Sequence, residues 1–497
     1  MKPAKSGLRG GALGVLSSAI FILLFGIALV APEWTKAGVL LFRAALMLWV
    51  VTLLLGKLRY ARQLPIALPL LTYLLLVTVS TIFSPEPALS WGRMRTIELF
   101  LLAFVAATSL VSRKQMRAIW VALLVSTVFA AGYTAWQFAS GMGVSIALRP
   151  FPPKFAAADI HRDDVILAVN GHLVRDEKSW KQAVAAEHTP LLHIRIERGD
   201  LLGEADRYIE RAALESSGVM ADGAVKSTKP RRAEGFFGNY IPFAEMLMLV
   251  AAFTWGVMLT VASAPGKRRS LFLLLAAFLA IAAALLSTQT RAAACALLLA
   301  GVVSLWMLPG WRSRLAGTVA ALLLVAVGLN WFRHQRGGDL QGDAGTQYRI
   351  LMWEDGLRLA WQHPLTGIGM DTVEKHGGEF GIRAYQRYPN LKSHFHSTPI
   401  QIAAECGWLA LAAWCWAMIV CFRTVLQLYR SALANDVLVK SSALGGLAML
   451  VAFNALSLAH YITGDAEVMI VFWLLLGLVI AADASLGAKT DTTAVAA

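Results

Sequence analysis

This 497-residue chain has little charge: Asp, Glu, Lys and Arg together make up 15% of it, against 57% hydrophobic residues. A mean hydropathy of +0.59 is far above what a soluble domain tolerates and places the chain among polytopic membrane proteins. Acidic residues are the scarcer sign, 31 against 45 basic ones, leaving a net charge of +14. Cysteine is scarce too. Cys295, Cys406, Cys415 and Cys421 all fall in apolar stretches and show none of the paired spacings of zinc or disulfide frameworks, so they read as packing residues. No Walker-type loop, GxGxxG fingerprint, nucleophile elbow or zincin motif occurs, which argues against an ATP-driven pump and the common hydrolase designs.

Long apolar runs are what the chain has in quantity. About 20 apolar residues cross a bilayer, and the sequence predicts an all-α polytopic protein of twelve such spans. They lie near residues 11–31, 37–56, 64–83, 94–111 and 117–139, and then near 241–262, 270–286, 290–308, 315–332, 397–422, 442–461 and 468–482. The basic start before the first run, with no convincing small-residue cleavage site after Val30, predicts a retained span rather than a signal peptide. Alternate loops are basic: Lys57, Arg59 and Arg62; Arg113, Lys114 and Arg117; Lys267, Arg268 and Arg269; Arg312 and Arg314; Arg423, Arg430 and Lys440. The positive-inside rule makes these cytoplasmic. Both termini then lie in the cytoplasm, and the two long polar intervals face the other side, which for a bacterial inner membrane is the periplasm. The excess of basic residues therefore signals topology and anionic lipid rather than nucleic acid.

The expected organisation is five spans in residues 1–139, a periplasmic insert and linker in 140–240, spans six to nine in 241–332, a periplasmic cap loop in 333–396, and spans ten to twelve with a cytoplasmic tail in 397–497. In the insert, DVILAVNG (164–171) reads as an alternating strand into an Asn-Gly turn, 179–186 as a helix, and LLHIRIER (191–198) as a second alternating strand. These elements resemble a PDZ domain, a small α+β fold whose closing strand ends in Arg-Gly, here Arg198 and Gly199. The resemblance implies either peptide capture by strand addition or a docking module for a protein partner. Residues 221–234 are polar and basic and read as a linker. In the cap, YRILMWEDGLRLA (348–360) predicts an amphipathic helix starting near Arg349 and stopping at His363 and Pro364, followed by a turn bracketed by Gly367 and Gly369.

Several residues could carry chemistry. Arg291 follows Ser287, Thr288, Gln289 and Thr290 at the end of a span. It is either a snorkelling anchor or a phosphate ligand, since a guanidinium is always charged and matches two phosphate oxygens. Arg349, at the start of the cap helix, and Arg232 in RRAEGFFGN are either contacts to something anionic or solvated surface charges; Arg43 is a further intramembrane candidate, and Arg93 and Arg95 flank the outer start of the fourth span. His396, at the mouth of an apolar run with His394, suits a general base because imidazole titrates near neutrality. The His394–Phe395–His396 spacing lacks accompanying carboxylates, so no metal is expected. Glu405 lies about two and a half helical turns beyond His396, too far to orient it, and is expected to pair with another span. His460, Tyr461, Asp465 and Glu467 read as an interfacial polar group.

Three blocks resemble the O-antigen ligase and polymerase superfamily: TQTRAAACALLLA around Arg291, YRILMWEDGLRLAWQHPLTGIG with Arg349, and HSTPIQIAAECGWLAL from His396. The family carries a (T/S)xxR block, an R-xxx-W…P-x-x-G-x-G block and an H-(N/S)-xx-(L/I)-Q…E-x-G block in the same order. The RxxGxFGN-like block with Arg232 is also similar. The resemblance implies a metal-independent, cofactor-free GT-C-type glycosyltransferase. Its donor would be an undecaprenyl-diphosphate glycan and its acceptor a lipid A-core sugar hydroxyl at the periplasmic face. It also implies that Arg291, Arg349 and Arg232 hold the diphosphate while His396 activates the acceptor, with His394, Glu405 and Arg43 in support. A glycan polymerase and a protein O-oligosaccharyltransferase share the donor half of such a site and remain alternatives. A transporter would be expected to show inverted repeats, which the sequence does not.

Overall fold

The structure is a computed structural model describing residues 4–57, 64–141, 143–162, 164–186, 188–198, 203–228, 232–336, 344–388, 391–431 and 436–494. Arg59, Arg62, Gly199 and residues 229–231 of the basic linker lie outside the described residues. The chain forms two compact units, one of residues 1–131 with 236–497 and one of residues 132–235.

The larger unit is helical and begins with α1 (Ala4–Val30), α2 (Thr35–Thr52), α3 (Ala67–Ile82), α4 (Pro87–Ile97), α5 (Leu101–Ser109) and α6 (Arg113–Ser140). Among the described residues, six helices are long and apolar enough to cross a membrane: Thr35–Leu55, Arg113–Ala139, Tyr240–Ala262, Arg268–Ser287, Trp408–Arg430 and Val437–Ser457. Gly14–Val30, Ala67–Ile82, Arg291–Met307 and Ala466–Ala482 are shorter apolar helices. The protein is thus a multi-pass membrane protein. Two of the twelve expected spans are broken. The run 94–111 turns through a 3-10 stretch at Glu98–Phe100 between α4 and α5, where Glu98 accepts both Nε (3.0 Å) and Nη2 (2.6 Å) of Arg43. The run 397–422 breaks at Gly407 into a short and a long helix.

The smaller unit carries a six-stranded antiparallel sheet of order β5-β4-β2-β1-β6, with β3 pairing β2. Its strands are β1 (Gly143–Ile146), β2 (Val165–Val169), β3 (His172–Leu173), β4 (Leu191–Arg198), β5 (Gly203–Glu210) and β6 (Val225–Thr228), with α7 (Glu177–Ala186) against them. The Asn-Gly turn forms as read, with Asn170 at φ 47° and Gly171 at φ 80°, the left-handed pair of a two-residue hairpin. Two expectations change. All five residues of β2 are buried, so it is a central strand covered on both faces rather than an alternating one. The supposed linker contains β6, whose Thr228, Ser227, Lys226 and Val225 pair with Gly143 to Ile146 of β1. Trp180 of α7 is fully buried among Phe155, Ile166, Ile194 and Ile196 and donates Nε1 to the Val219 carbonyl at 3.2 Å.

The larger unit resumes with α8 (Tyr240–Ala262), α9 (Arg268–Ser287), α10 (Arg291–Met307), α11 (Trp311–Arg336), α12 (Ala344–Gln362), α13 (Thr372–His376), α14 (Arg383–Arg387), α15 (Thr398–Cys406), α16 (Trp408–Arg430), α17 (Val437–Ser457) and α18 (Ala466–Ala494). Apart from Glu245, the first turns of α8 are largely apolar, and they are buried from Pro242 to Thr254. By contrast α9 leaves Phe272, Leu273, Leu275 and Leu279 exposed, as expected of a helix facing lipid. Gly256 of α8 abuts the backbone of Gly445 on α17. Small residues at that crossing let the two backbones approach and fix the helices that lead to Glu245 and His460. The cap helix α12 begins at Ala344, so Arg349 sits in its second turn rather than at its start.

Candidate active site

The two halves of the P-x-x-G-x-G block meet α15 through backbone alone. The C-terminal carbonyls of a helix have no partner within it. Here Ile368 N donates to Ala404 O (3.0 Å), Gly369 N to Glu405 O (2.9 Å), and Trp408 N to Pro364 O (2.9 Å). A Cβ on Gly367 (φ 66°) would strike the carbonyl carbon and oxygen of Glu405, and one on Gly407 (φ 86°) the Leu365 carbonyl. The glycines are there because peptide lies on peptide. Ser80 Oγ on α3 reinforces the junction by donating to the Thr366 (2.6 Å) and Glu405 (2.9 Å) carbonyls.

That junction holds α15, and the chain just before α15 carries the histidines. His396 has φ 52°, left-handed for a residue with a side chain, a conformation that persists only where the surroundings over-determine it. In this unit the described non-glycine residues with positive φ are Gln289, Asp371 and His396, each in or beside one of the three blocks or the turn joining them. Gln401 Oε1 accepts from Phe395 N at 2.8 Å, and Trp353 Nε1 donates to the His396 carbonyl at 3.4 Å. Tyr385 Oη bonds both the carbonyl (2.6 Å) and the N–H (3.1 Å) of Ser393. The His396 ring lies 4.6 Å from that of His394 and edge-on to Tyr348 at 5.8 Å, with Nε2 3.4 Å from Ser393 Oγ. Burial, then the neighbouring charges of His394, Arg349 and His460, holds the His396 imidazole well below its ordinary value. It is therefore neutral near pH 7, with a ring nitrogen free to accept a proton.

Arg349 and Trp353 are one turn apart on α12, so one helix face brings a guanidinium and the indole that grips His396 to the same place. Arg349 also acts on His460: burial, with that charge beside it, pulls the His460 imidazole down to about 3. His394 Nδ1 stands 3.8 Å from Glu374, and its ring is 5.4 Å from that of Tyr461. Glu405 turns away from His396, as its distance along the helix requires, and accepts the Asp371 N–H at 2.9 Å. Asp371 in turn lies 3.5 Å from Arg93 Nε, and the Arg93 guanidinium sits over the Tyr461 ring at 5.4 Å.

The remaining expected residues stand elsewhere. Arg291 is exposed and opens α10 directly after Thr290, whose N–H bonds Thr288 Oγ1 at 3.2 Å. A cation at that end of a helix opposes the macrodipole, an arrangement favoured when an anion binds there. Arg43 is paired with Glu98 on the outer surface of its helices. Arg232 belongs to the smaller unit, just past its sheet.

Residues 275–415 match the family model described as O-Antigen ligase. The matched range contains Arg291, Arg349, His394, His396 and Glu405, together with Trp353, Gln401 and the glycine junction. No curated protein matches the chain. The sequence reading placed His460 at the interface and passed over Glu245, both outside the matched range. His460 is 6% exposed and Glu245 only 1%, so His460 is no interfacial group, and His460 Nδ1 lies 2.8 Å from Glu245 Oε1. The available signal was Glu245 itself, an acid inside an otherwise apolar span, which costs ~2.5–3.5 kcal/mol on insertion scales unless it has a use.

Proposed function

We propose that the protein is a periplasm-facing inner-membrane glycosyltransferase that moves a glycan from undecaprenyl diphosphate to a lipid A-core sugar hydroxyl. The observation that carries this reading is the neutral, buried His396, held in a left-handed turn by Trp353 and Gln401 with the Arg349 charge beside it. The acceptor hydroxyl gives its proton to the His396 imidazole as its oxygen forms a bond to the anomeric carbon. The bond from that carbon to the diphosphate oxygen breaks, and its electron pair leaves with the diphosphate. Arg349, with Arg291, neutralises the departing charge, so no divalent ion is required. A twelve-span GT-C-type layout with cytoplasmic termini goes with this reading, the broken runs counting as spans. The PDZ-like insert is assigned to docking a protein partner rather than to catalysis.

Purified protein is offered a lipid-linked glycan with lipid A-core, free glycan or peptide as acceptor. Transfer to lipid A-core alone, abolished in His396→Ala while the variant stays folded, is the expected result. Transfer to glycan or peptide instead would make the protein a polymerase or a protein glycosyltransferase. Full activity in His396→Ala would sink the general-base assignment.

A further inference from the structure

The left-handed turn at His396 is gripped from three sides, and two of the grips come from within residues 275–415. Trp353 holds the His396 carbonyl and Gln401 the preceding N–H. The third is the peptide carbonyl of His460, which accepts both the backbone N–H and the hydroxyl of Thr398, each at 3.0 Å. Thr398 is the first residue of α15, so its N–H is one of the orphan donors of that helix, and the His460 carbonyl supplies the partner two residues after His396.

What fixes His460 is its ring. It is 7% exposed and packs against Glu245, whose side chain is 1% exposed, with Nδ1 2.8 Å from Oε1. A carboxyl group at that depth is retained only if a polar partner meets it. Glu245 stands on α8, which the Gly256–Gly445 contact locks to α17, and His460 follows α17 directly. The anchor therefore rests on the most buried of the six candidate spans among the described residues. Arg349, Asp465 and Glu467 are the other ionisable groups acting on the pair.

We infer that His460, anchored by Glu245, is a positioning residue that sets the place of His396 through Thr398. The inference rests on the glycosyl-transfer reading for its kinetic consequence but not for its structural one. Misplacing a catalytic group by about 1 Å can cost about a hundredfold in rate, and an unanchored His460 loop allows displacement on that scale.

The test uses full-length protein in nanodiscs with two readouts. One is the rate at which diethyl pyrocarbonate modifies His396, followed by peptide mass spectrometry with no substrate present. The other is kcat and donor KM for transfer. In His460→Leu and Glu245→Leu, modification of His396 is expected to speed up severalfold, and kcat to fall about ten- to a hundredfold with donor KM within about twofold. His460→Asn and Glu245→Gln, whose amides can both donate and accept and so keep a hydrogen bond across the pair whichever way it runs, should restore both readouts most of the way. If the leucine variants do not fold, Thr398→Val reports instead, since it removes one of the two bonds to His460 and leaves the buried pair intact. A faster modification there supports the assignment. Wild-type His396 reactivity in every folded variant overturns it, as does a loss that the conservative variants fail to rescue. Were the wild type inactive on all acceptors, the function would be refuted while the modification rates still decided the positioning.

Discussion

Replacing Gly407 by alanine puts a methyl group where α15 turns into α16, and the structure says what it meets. Gly407 has φ 86° and ψ 168°, a region essentially closed to residues with a Cβ, at a cost of about 1–3 kcal/mol. The new carbon would also run into the carbonyl groups of Leu365 and Pro364. These are backbone atoms held by the Trp408 N–H on Pro364 O and cannot swing aside as a side chain could, which adds about 1–3 kcal/mol of overpacking. The two together predict a destabilisation of about 2–6 kcal/mol. The assay is SDS titration of the detergent-solubilised protein followed by tryptophan fluorescence, to which the Trp361–Trp408 contact at 5.0 Å across the same junction contributes. Gly14→Ala is the control, because Gly14 lies in α1 with nothing within 4 Å of an added Cβ, and it should be neutral or stabilising by up to about 1 kcal/mol. A Gly407→Ala protein within about 0.5 kcal/mol of wild type would refute the claim that the PLTGIG turn and α15 meet peptide on peptide.

Three further outcomes follow from other contacts. Removing one partner of the Arg43–Glu98 pair should cost more than removing both, since a lone charge on a lipid-facing helix is the worst case; yields of folded Arg43→Met, Glu98→Gln and the double variant test the order. His376 donates from both ring nitrogens, to Glu379 (2.9 Å) and Glu86 (2.7 Å), beside Lys375, and those carboxylates raise its pKa. Its contribution is thus complete below pH 6.5 and lost as the pH rises through the higher folded value; an NMR titration midpoint at or below 6.5 would contradict this. Deleting only 159–199 would remove β2, β3, α7 and β4 and strand the rest of the sheet, so the clean excision is 143–228 bridged by a short Gly-Ser linker. That variant should keep donor affinity in a lipid-diphosphate binding assay, and a dead donor site would make the insert part of the catalytic fold.

Much of the architecture was legible because lipid imposes a simple rule: long apolar runs become helices. The rule failed at Glu98 and at Gly407, where a charge and a glycine within an apolar run marked the breaks in advance. In the insert, DVILAVNG and LLHIRIER announced themselves by apolar content and turn chemistry. The four residues of β6 lay hidden in a basic stretch and β5 in a polar one, because an edge strand needs few apolar residues and takes its place from its partner. For the site, the blocks named Arg291, Arg349 and His396, but not why Trp353, Gln401, Gly367 and Gly407 accompany them. Those residues grip the His396 turn and dock the chain on α15, relations that join positions far apart in sequence. The Glu245–His460 pair, more than two hundred residues apart, is the extreme case.

The pairing of Gly143 with Thr228 has a consequence for how such a chain is made. Register partners in an antiparallel ladder stand ~4.5–5.5 Å apart, so the smaller unit takes in the chain and hands it back at nearly one point. The helices on either side then feel no more separation than a tight turn would impose, whatever is threaded between them. The unit can fold on its own schedule without holding up helix packing in the bilayer. An unrelated domain whose termini lie equally close could take its place, making this the natural position to graft a reporter or a binding module.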